Sequence, residues 1–377
     1  MSAAVTRRKS RSSGFWNKTV LTLGLMTVIG LIVGVWRLFV GLGPATNLTD
    51  AYPWGLWIAF DFSLIAFSGA GFTMAALVYV FHREEFRPAL KPAIWLAFLG
   101  YLAVLLLLVL DLGRWDRFYM FILRGNVHSP LYEISWCVLL YSIVLFFENS
   151  PPIFERLKKH SWAEWVHKYI MIFVVAAITL STLHQSSLGT LYLNMPHRLQ
   201  RLWFSPLLSL FFFVSSIMAG LSATIFAYKL ASKIRGVPAD FTIIRGLGRI
   251  VGWTTLFYIV IKLVDWMMAG ELAALFVPSK YSLLTWLEFG LGAVVPAILL
   301  LVPSLRNKLS NIHLAAGLVL FGVLANRVNA TLFAQTPLEG GSYVPHLAEW
   351  LSTIGIVAAA ALAWYLGIKY LLYRDEA

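Results

Sequence analysis

Ionisable side chains stand inside long apolar runs of this chain: Arg37, Asp61, Asp111, Glu133, Glu148, His184, Lys262, Asp265, Glu288, Arg327 and Glu349. Charge within a membrane-length apolar segment is costly and is a functional candidate by default. Two chemistries suit such residues. A carboxylate or imidazole away from water can exchange protons near neutral pH. Hydrogen-bond donors in an apolar wall can bind a polar ring. Nearly all of these residues fall toward one end of their apolar runs, with Asp61, Asp111, Glu133 and His184 at matching depth and Gln185 beside the histidine. Arg114 and His128 lie in the adjoining link. Glu148 alone falls at the opposite end.

A quinone fits this pattern. It needs a donor at each carbonyl and an apolar wall for its ring and tail, and its reduction takes up two protons with two electrons. Asp61, Asp111, Arg114, His128, Glu133, His184 and Gln185 are therefore candidates for quinone binding. Glu133, Glu148, Lys262, Asp265, Glu288, Arg327 and Glu349 are candidates for proton transfer. Blander readings stand beside these. Lys262 and Asp265, three residues apart, can simply neutralise one another; Glu288, Arg327 and Glu349 can form a structural network; Arg37 can snorkel to an interface; Glu148 can be solvated beside Asn149.

The single cysteine, Cys137, excludes an internal disulfide, a cysteine-ligated zinc site or an iron–sulfur cluster. Paired transmembrane haem ligands are also missing: of the eight histidines only His184 lies clearly within an apolar run on the outer side. The expectation is no metal site, no haem and no cluster in this chain.

Helices in a bilayer must position these residues. The chain is 59% hydrophobic and 13% charged, against roughly 45–50% and about 25% for soluble domains. A spanning helix needs about 20 apolar residues. Ten segments qualify: 18–42, 54–81, 91–113, 131–149, 166–187, 204–232, 247–268, 281–302, 309–332 and 347–371, separated by proline and glycine breaks. The organisation is a basic tail over 1–17, a polytopic domain over 18–371 and a short tail over 372–377. The net charge of +12 is spread over short links, which speaks for topology and not for nucleic acid. With the N-terminus inside, 21 of the 30 Lys and Arg fall on that side, so both termini are expected in the cytoplasm.

Several runs carry a resemblance. Tyr52-Pro53-Trp54-Gly55-Leu56-Trp57-Ile58-Ala59-Phe60-Asp61, Asp111-Leu112-Gly113-Arg114-Trp115, Ser129-Pro130-Leu131-Tyr132-Glu133, Leu183-His184-Gln185-Ser186-Ser187-Leu188-Gly189 and Gly340-Gly341-Ser342-Tyr343-Val344-Pro345 resemble the NrfD/PsrC family. Within it they are most similar to HybB-type membrane subunits of NiFe hydrogenases. Family members carry Arg and Glu where this chain has Lys262 and Asp265, and His128 occupies a variable position. The resemblance implies an all-α integral membrane fold of two four-helix bundles plus extra helices in a bacterial inner membrane. It also implies a site for menaquinone or ubiquinone near the periplasmic face. The implied partners, besides membrane lipid, are a periplasmic ferredoxin-like iron–sulfur subunit and the large and small hydrogenase subunits. A multihaem cytochrome or molybdenum enzyme is the alternative module. A proton or ion transporter is the rival class; it would favour interrupted helices with sites at mid-membrane.

Overall fold

The computed structural model describes residues 18–195, 197–335 and 342–373. Tail residues 1–17 and 374–377, and Gly340 and Gly341 of the last link, lie outside the described residues. Among the described residues ten helices are long and apolar enough to cross a membrane: α1 Lys18–Val40, α2 Leu56–Val80, α3 Glu84–Asp111, α4 Pro130–Asn149, α5 His160–Leu193, α6 Leu208–Arg235, α7 Phe241–Met268, α8 Lys280–Leu301, α9 Leu309–Phe333 and α10 Leu347–Tyr370. The chain is an all-α multi-pass integral membrane protein. The side where α1 begins and α10 ends is its terminal face, and the opposite side is its distal face.

Local chemistry sets the helix ends. Pro130 opens α4 directly after Ser129, a position where a missing N–H costs nothing. The Asp240 carboxylate accepts from the Thr242 N–H at 2.7 Å and starts α7. Ser279 and Ser282 form a reciprocal cap on α8. Gly236 takes the left-handed conformation, φ 73°, that closes α6.

Helices α2–α5 pack as one neighbouring group and α6–α9 as a second, with α6 joining the two and α1 lying along α10. Small residues permit the close crossings expected where lipid removes the hydrophobic drive between helices. A Cβ on Gly355 of α10 would stand 2.4 Å from the Cα of Gly30 on α1, and a Cβ on Gly220 of α6 would stand 2.4 Å from the backbone of Gly69 on α2. Leu21, Ile32 and Phe39 of α1 and Ile172 of α5 are among the large apolar side chains facing outward.

Four helices differ from expectation, with α3 starting at Glu84 and α7 at Phe241, six or seven residues early. Helix α5 extends beyond 166–187 at both ends, because residues 160–165 and 188–193 keep helical hydrogen bonding. Helix α2 tightens at Ser68–Gly69: the Gly69 N–H bonds to Ala66 O at 3.1 Å in place of the carbonyl four residues back.

Candidate functional site

The first helix group holds a compact polar cluster to which each of its four helices contributes. Asp61 of α2, His184 and Gln185 of α5, and Ser181 one turn before them are all buried. Tyr101 of α3 and Tyr141 of α4 are fully buried, meeting edge to face with ring centroids 4.6 Å apart, and Tyr101 lies 5.7 Å from the His184 ring. Ser181, His184, Gln185 and Leu188 share one helical face, which the three- and four-residue spacing dictates. Hydropathy puts His184 at the close of its helix. It instead precedes the end of α5 by nine residues and points into the bundle. Asp61 lies five residues below the start of α2, about 7 Å at the helical rise.

This cluster is under-bonded. Neither ring nitrogen of His184, nor Asp61 Oδ1 or Gln185 Oε1, finds a hydrogen-bond partner, and the Tyr101 and Tyr141 hydroxyls lie within reach of Ser181 without a well-formed bond. Buried polar groups in native proteins are nearly always paired, so an unpaired set is where a ligand or water belongs. One bond is made: Gln185 Nε2 donates to Ile65 O at 2.8 Å. That carbonyl is the one left without its helical partner at Ser68–Gly69, so the tightening of α2 and the position of Gln185 are one feature.

Toward the distal face, Glu133 Oε1 accepts from Ser187 Oγ at 2.6 Å, joining α4 to α5. Trp54, Phe62 and Tyr192 pack edge to face. Asp111 ends α3 with Oδ1 buried and unpaired, within electrostatic reach of Arg37 and Glu349. Arg37 is buried, donates through Nη2 to Leu112 O at 2.7 Å and lies over the Trp57 ring. At the other end of α4, Glu148 Oε1 is buried without a partner. Tyr141 stands seven residues before it, two helical turns away on the same face.

Two predicted site residues lie elsewhere. Arg114 is exposed in the α3–α4 link and pairs with Asp116 at 2.9 Å; this bond holds the Asp116 carboxyl below the usual carboxylate range. His128 is exposed in the same link, its N–H bonded to Asn126 Oδ1. Both follow the end of α3, where the chain leaves the bundle.

The charged side chains of the second helix group bond to neighbouring polar groups, although Thr255 Oγ1 and Arg327 Nε are among the atoms left open. Glu288 lies on a π-helical stretch of α8, and its carboxylate accepts from Trp203 Nε1, Asn326 Nδ2 and Asn329 Nδ2 at 2.8–2.9 Å. Arg327 donates to Asn326 Oδ1 and Ser215 Oγ and lies over the Phe212 ring. Lys262 and Asp265 form a 3.7 Å pair, with Asp265 also accepting from Ser205 Oγ. Glu349 bonds the N–H groups of Leu56 and His346 and the Tyr343 hydroxyl. Burial and the bonded carboxylate push the Tyr343 phenol above its usual range.

The Polysulphide reductase, NrfD family model matches residues 44–339. The chain belongs to the NrfD family. This NrfD-family chain is 31% identical to the probable Ni/Fe-hydrogenase 2 b-type cytochrome subunit of Escherichia coli over 94% of this chain and 92% of that one. It is 32% identical to the menaquinone reductase integral membrane subunit of Nitratidesulfovibrio vulgaris, over 89% and 87% of the two chains. It is 26% identical to a putative dimethyl sulfoxide reductase membrane subunit of Halobacterium salinarum, over 93% and 89%. The NrfD match covers all four helices of the first group and with them the under-bonded cluster.

Tyr101, Tyr141 and Ser181 are the site residues that sequence reasoning missed. A tyrosine in an apolar run reads as a hydrophobe, and a serine in a helix usually bonds its own backbone. Only the convergence of α3, α4 and α5 brings these residues together beside His184. Among the described residues no group of three or more His, Cys, Asp or Glu could hold a metal ion.

Proposed function

We propose that this chain is the quinone-reactive membrane subunit of a respiratory complex and that the quinone ring engages the His184 cluster. The observation that carries this is the buried, unbonded donor and acceptor set of His184, Gln185, Asp61, Tyr101 and Tyr141. A neutral imidazole offers one N–H and one acceptor nitrogen. The N–H meets one quinone carbonyl, and a tyrosine hydroxyl meets the other. Two electrons and two protons convert quinone to quinol. The electrons come from a docked redox subunit. One proton passes from His184, which is recharged through Asp61, and the other from the tyrosine side, where Tyr101, Tyr141 and Glu148 descend toward the terminal face. Glu133 and Ser187 stand at the distal mouth, where quinone enters from the bilayer, and Asp111 serves as a proton reservoir beside Arg37. Arg114 and His128 take part in partner docking in this reading, since both lie exposed at the distal face.

The distal face is periplasmic and the membrane is a bacterial inner membrane, as the bias of Lys and Arg toward the terminal face supports. The docked module in this reading is a ferredoxin-like iron–sulfur subunit with the two hydrogenase subunits; the name of the E. coli relative supports the hydrogenase part alone. A molybdenum module is the second reading, supported by the name of the Halobacterium relative. The E. coli relative carries "b-type cytochrome" in its name, yet no second histidine opposes His184 among the described residues, so this chain is proposed to bind no haem. The bonded network of Lys262, Asp265, Glu288 and Arg327 is assigned a structural role with at most slow proton exchange. The transporter reading loses support from the same bonding. The tightened turn of α2 also keeps helical backbone angles at Ser68 and Gly69, so it presents no unwound carbonyls to an ion.

Purification in mild detergent tests this directly. The expected result is co-isolation with iron–sulfur and catalytic subunits, reduction of a quinone analogue by the complex, and no b-type absorbance in the separated chain. A chain that isolates alone and conducts ions in proteoliposomes would sink the proposal.

A further inference from the structure

A second region of the chain holds a large cavity that none of the His184 cluster residues lines. It opens toward the terminal face, has a volume of about 850 Å³, and lies at the seam where α1 and α10 meet α2, α3, α6 and α9. Its deep wall is apolar: Leu99 of α3, Phe226 and Leu230 of α6, and Trp364 of α10 line it, with the small Ala227 leaving the space open. Trp364 is held by its Nε1 hydrogen bond to Pro92 O at 3.2 Å, so it does not swing in to fill the volume. The mouth is different in kind. Lys233 and Arg235 close α6 there, and Lys369 closes α10 on the facing side. Arg235 lies 3.9 Å from the Tyr373 ring and Lys91 lies 5.3 Å from the same ring, which draws a further cation to the mouth.

We propose that this cleft binds an anionic diacyl phospholipid from the leaflet on the terminal side. Only bilayer components reach an apolar seam between spanning helices. Acyl chains match the deep wall, and the cations match a phosphate. Arginine forks onto phosphate oxygens and lysine adds a point charge, and basic pockets between spanning helices are sites for anionic headgroups. A quinone fits this mouth poorly, since it brings no anion to three cations. The bound lipid fills the seam and fastens α1 and α10, the outlying pair, to the two helix groups. The lipid cleft stands independently of the quinone site.

The test uses the full chain purified in mild detergent. Lipid extraction is expected to return about one anionic phospholipid per chain. Delipidated protein titrated in detergent with phosphatidylglycerol, phosphatidylcholine or inorganic phosphate should bind the first much more tightly than the second and ignore the third. The double variant Lys233→Gln, Lys369→Gln, with changes only at the mouth, should weaken phosphatidylglycerol binding roughly thirtyfold and leave phosphatidylcholine unchanged. Ala227→Trp should expel the lipid by filling the deep wall; if that variant fails to fold, the lysine variant decides. Equal binding of the two lipids, competition by inorganic phosphate, retained quinone in place of phospholipid, or unchanged binding in the lysine variant would each overturn the proposal.

Discussion

A buried polar atom without a partner costs about 1–3 kcal/mol, and the Glu288–Arg327 network and the His184 cluster meet that cost differently. In the second group Glu288 collects three donors and Arg327 two acceptors with a ring face. In the first group His184, Gln185, Asp61, Tyr101 and Tyr141 leave donors and acceptors open. The contrast yields two predictions for single residues. Tyr101→Phe removes one hydroxyl and keeps the ring packing against Tyr141, so quinone reduction should fall by an order of magnitude or more, as for loss of a positioned proton donor, while the amount of assembled protein is kept. Arg114→Ala and His128→Ala alter exposed side chains and should leave stability within about 0.5 kcal/mol of the parent and quinone affinity unchanged; a rise in the quinone KM in either would restore them to the pocket. The charged candidates were visible in the sequence because charge is rare in apolar runs. The hydroxyls were not, since tyrosine is counted with the hydrophobes until neighbouring helices are in place.

At the scale of elements, caps and crossings hold the scaffold. Glu349 begins α10 and also takes the Leu56 N–H at the start of α2, so one carboxylate fixes the register of two helices. Glu349→Ala leaves several donors unpaired and should cost about 1–3 kcal/mol. A lowered melting temperature in detergent with normal turnover per assembled complex is the expected result, and loss of turnover with unchanged melting would return Glu349 to the proton path. Gly355 tests the α1–α10 crossing. Gly355→Leu drives a side chain into the Gly30 backbone and should lower the melting temperature, whereas Gly24→Leu, with nothing within 4 Å, should not. Hydropathy and proline breaks located all ten helices to within a few residues, with α3, α5 and α7 starting six or seven residues early. Those ends are polar, amphipathic turns that continue past the apolar run, which composition alone does not report. The tightening of α2 was also illegible, because it depends on Gln185 from another helix.

The whole molecule must move electrons and protons across different distances. Glu148 stands near the terminal face and the His184 cluster, with its Tyr141 two helical turns from Glu148, nearer the distal one. If protons for quinol come by this route, turnover is electrogenic, and Glu148→Gln should abolish the membrane potential in proteoliposomes or slow quinone reduction while sparing dye-linked activity of the partner. An unchanged potential and rate would remove Glu148 from the path. Orientation is tested separately: a reporter fused at Ala377 should signal from the cytoplasm and one in the α9–α10 link from the periplasm.

The central claim is that the quinone ring meets His184, and quinone turnover per assembled complex in His184→Ala tests it most directly. Losing one hydrogen bond to developing negative charge costs about 2.7–4 kcal/mol, a factor of roughly a hundred to a thousand. Quinone reduction should fall by that factor, with dye-linked activity of the partner subunits and the yield of complex retained. Normal turnover per complex, with less complex assembled, would contradict the claim and leave His184 as a packing residue of α5.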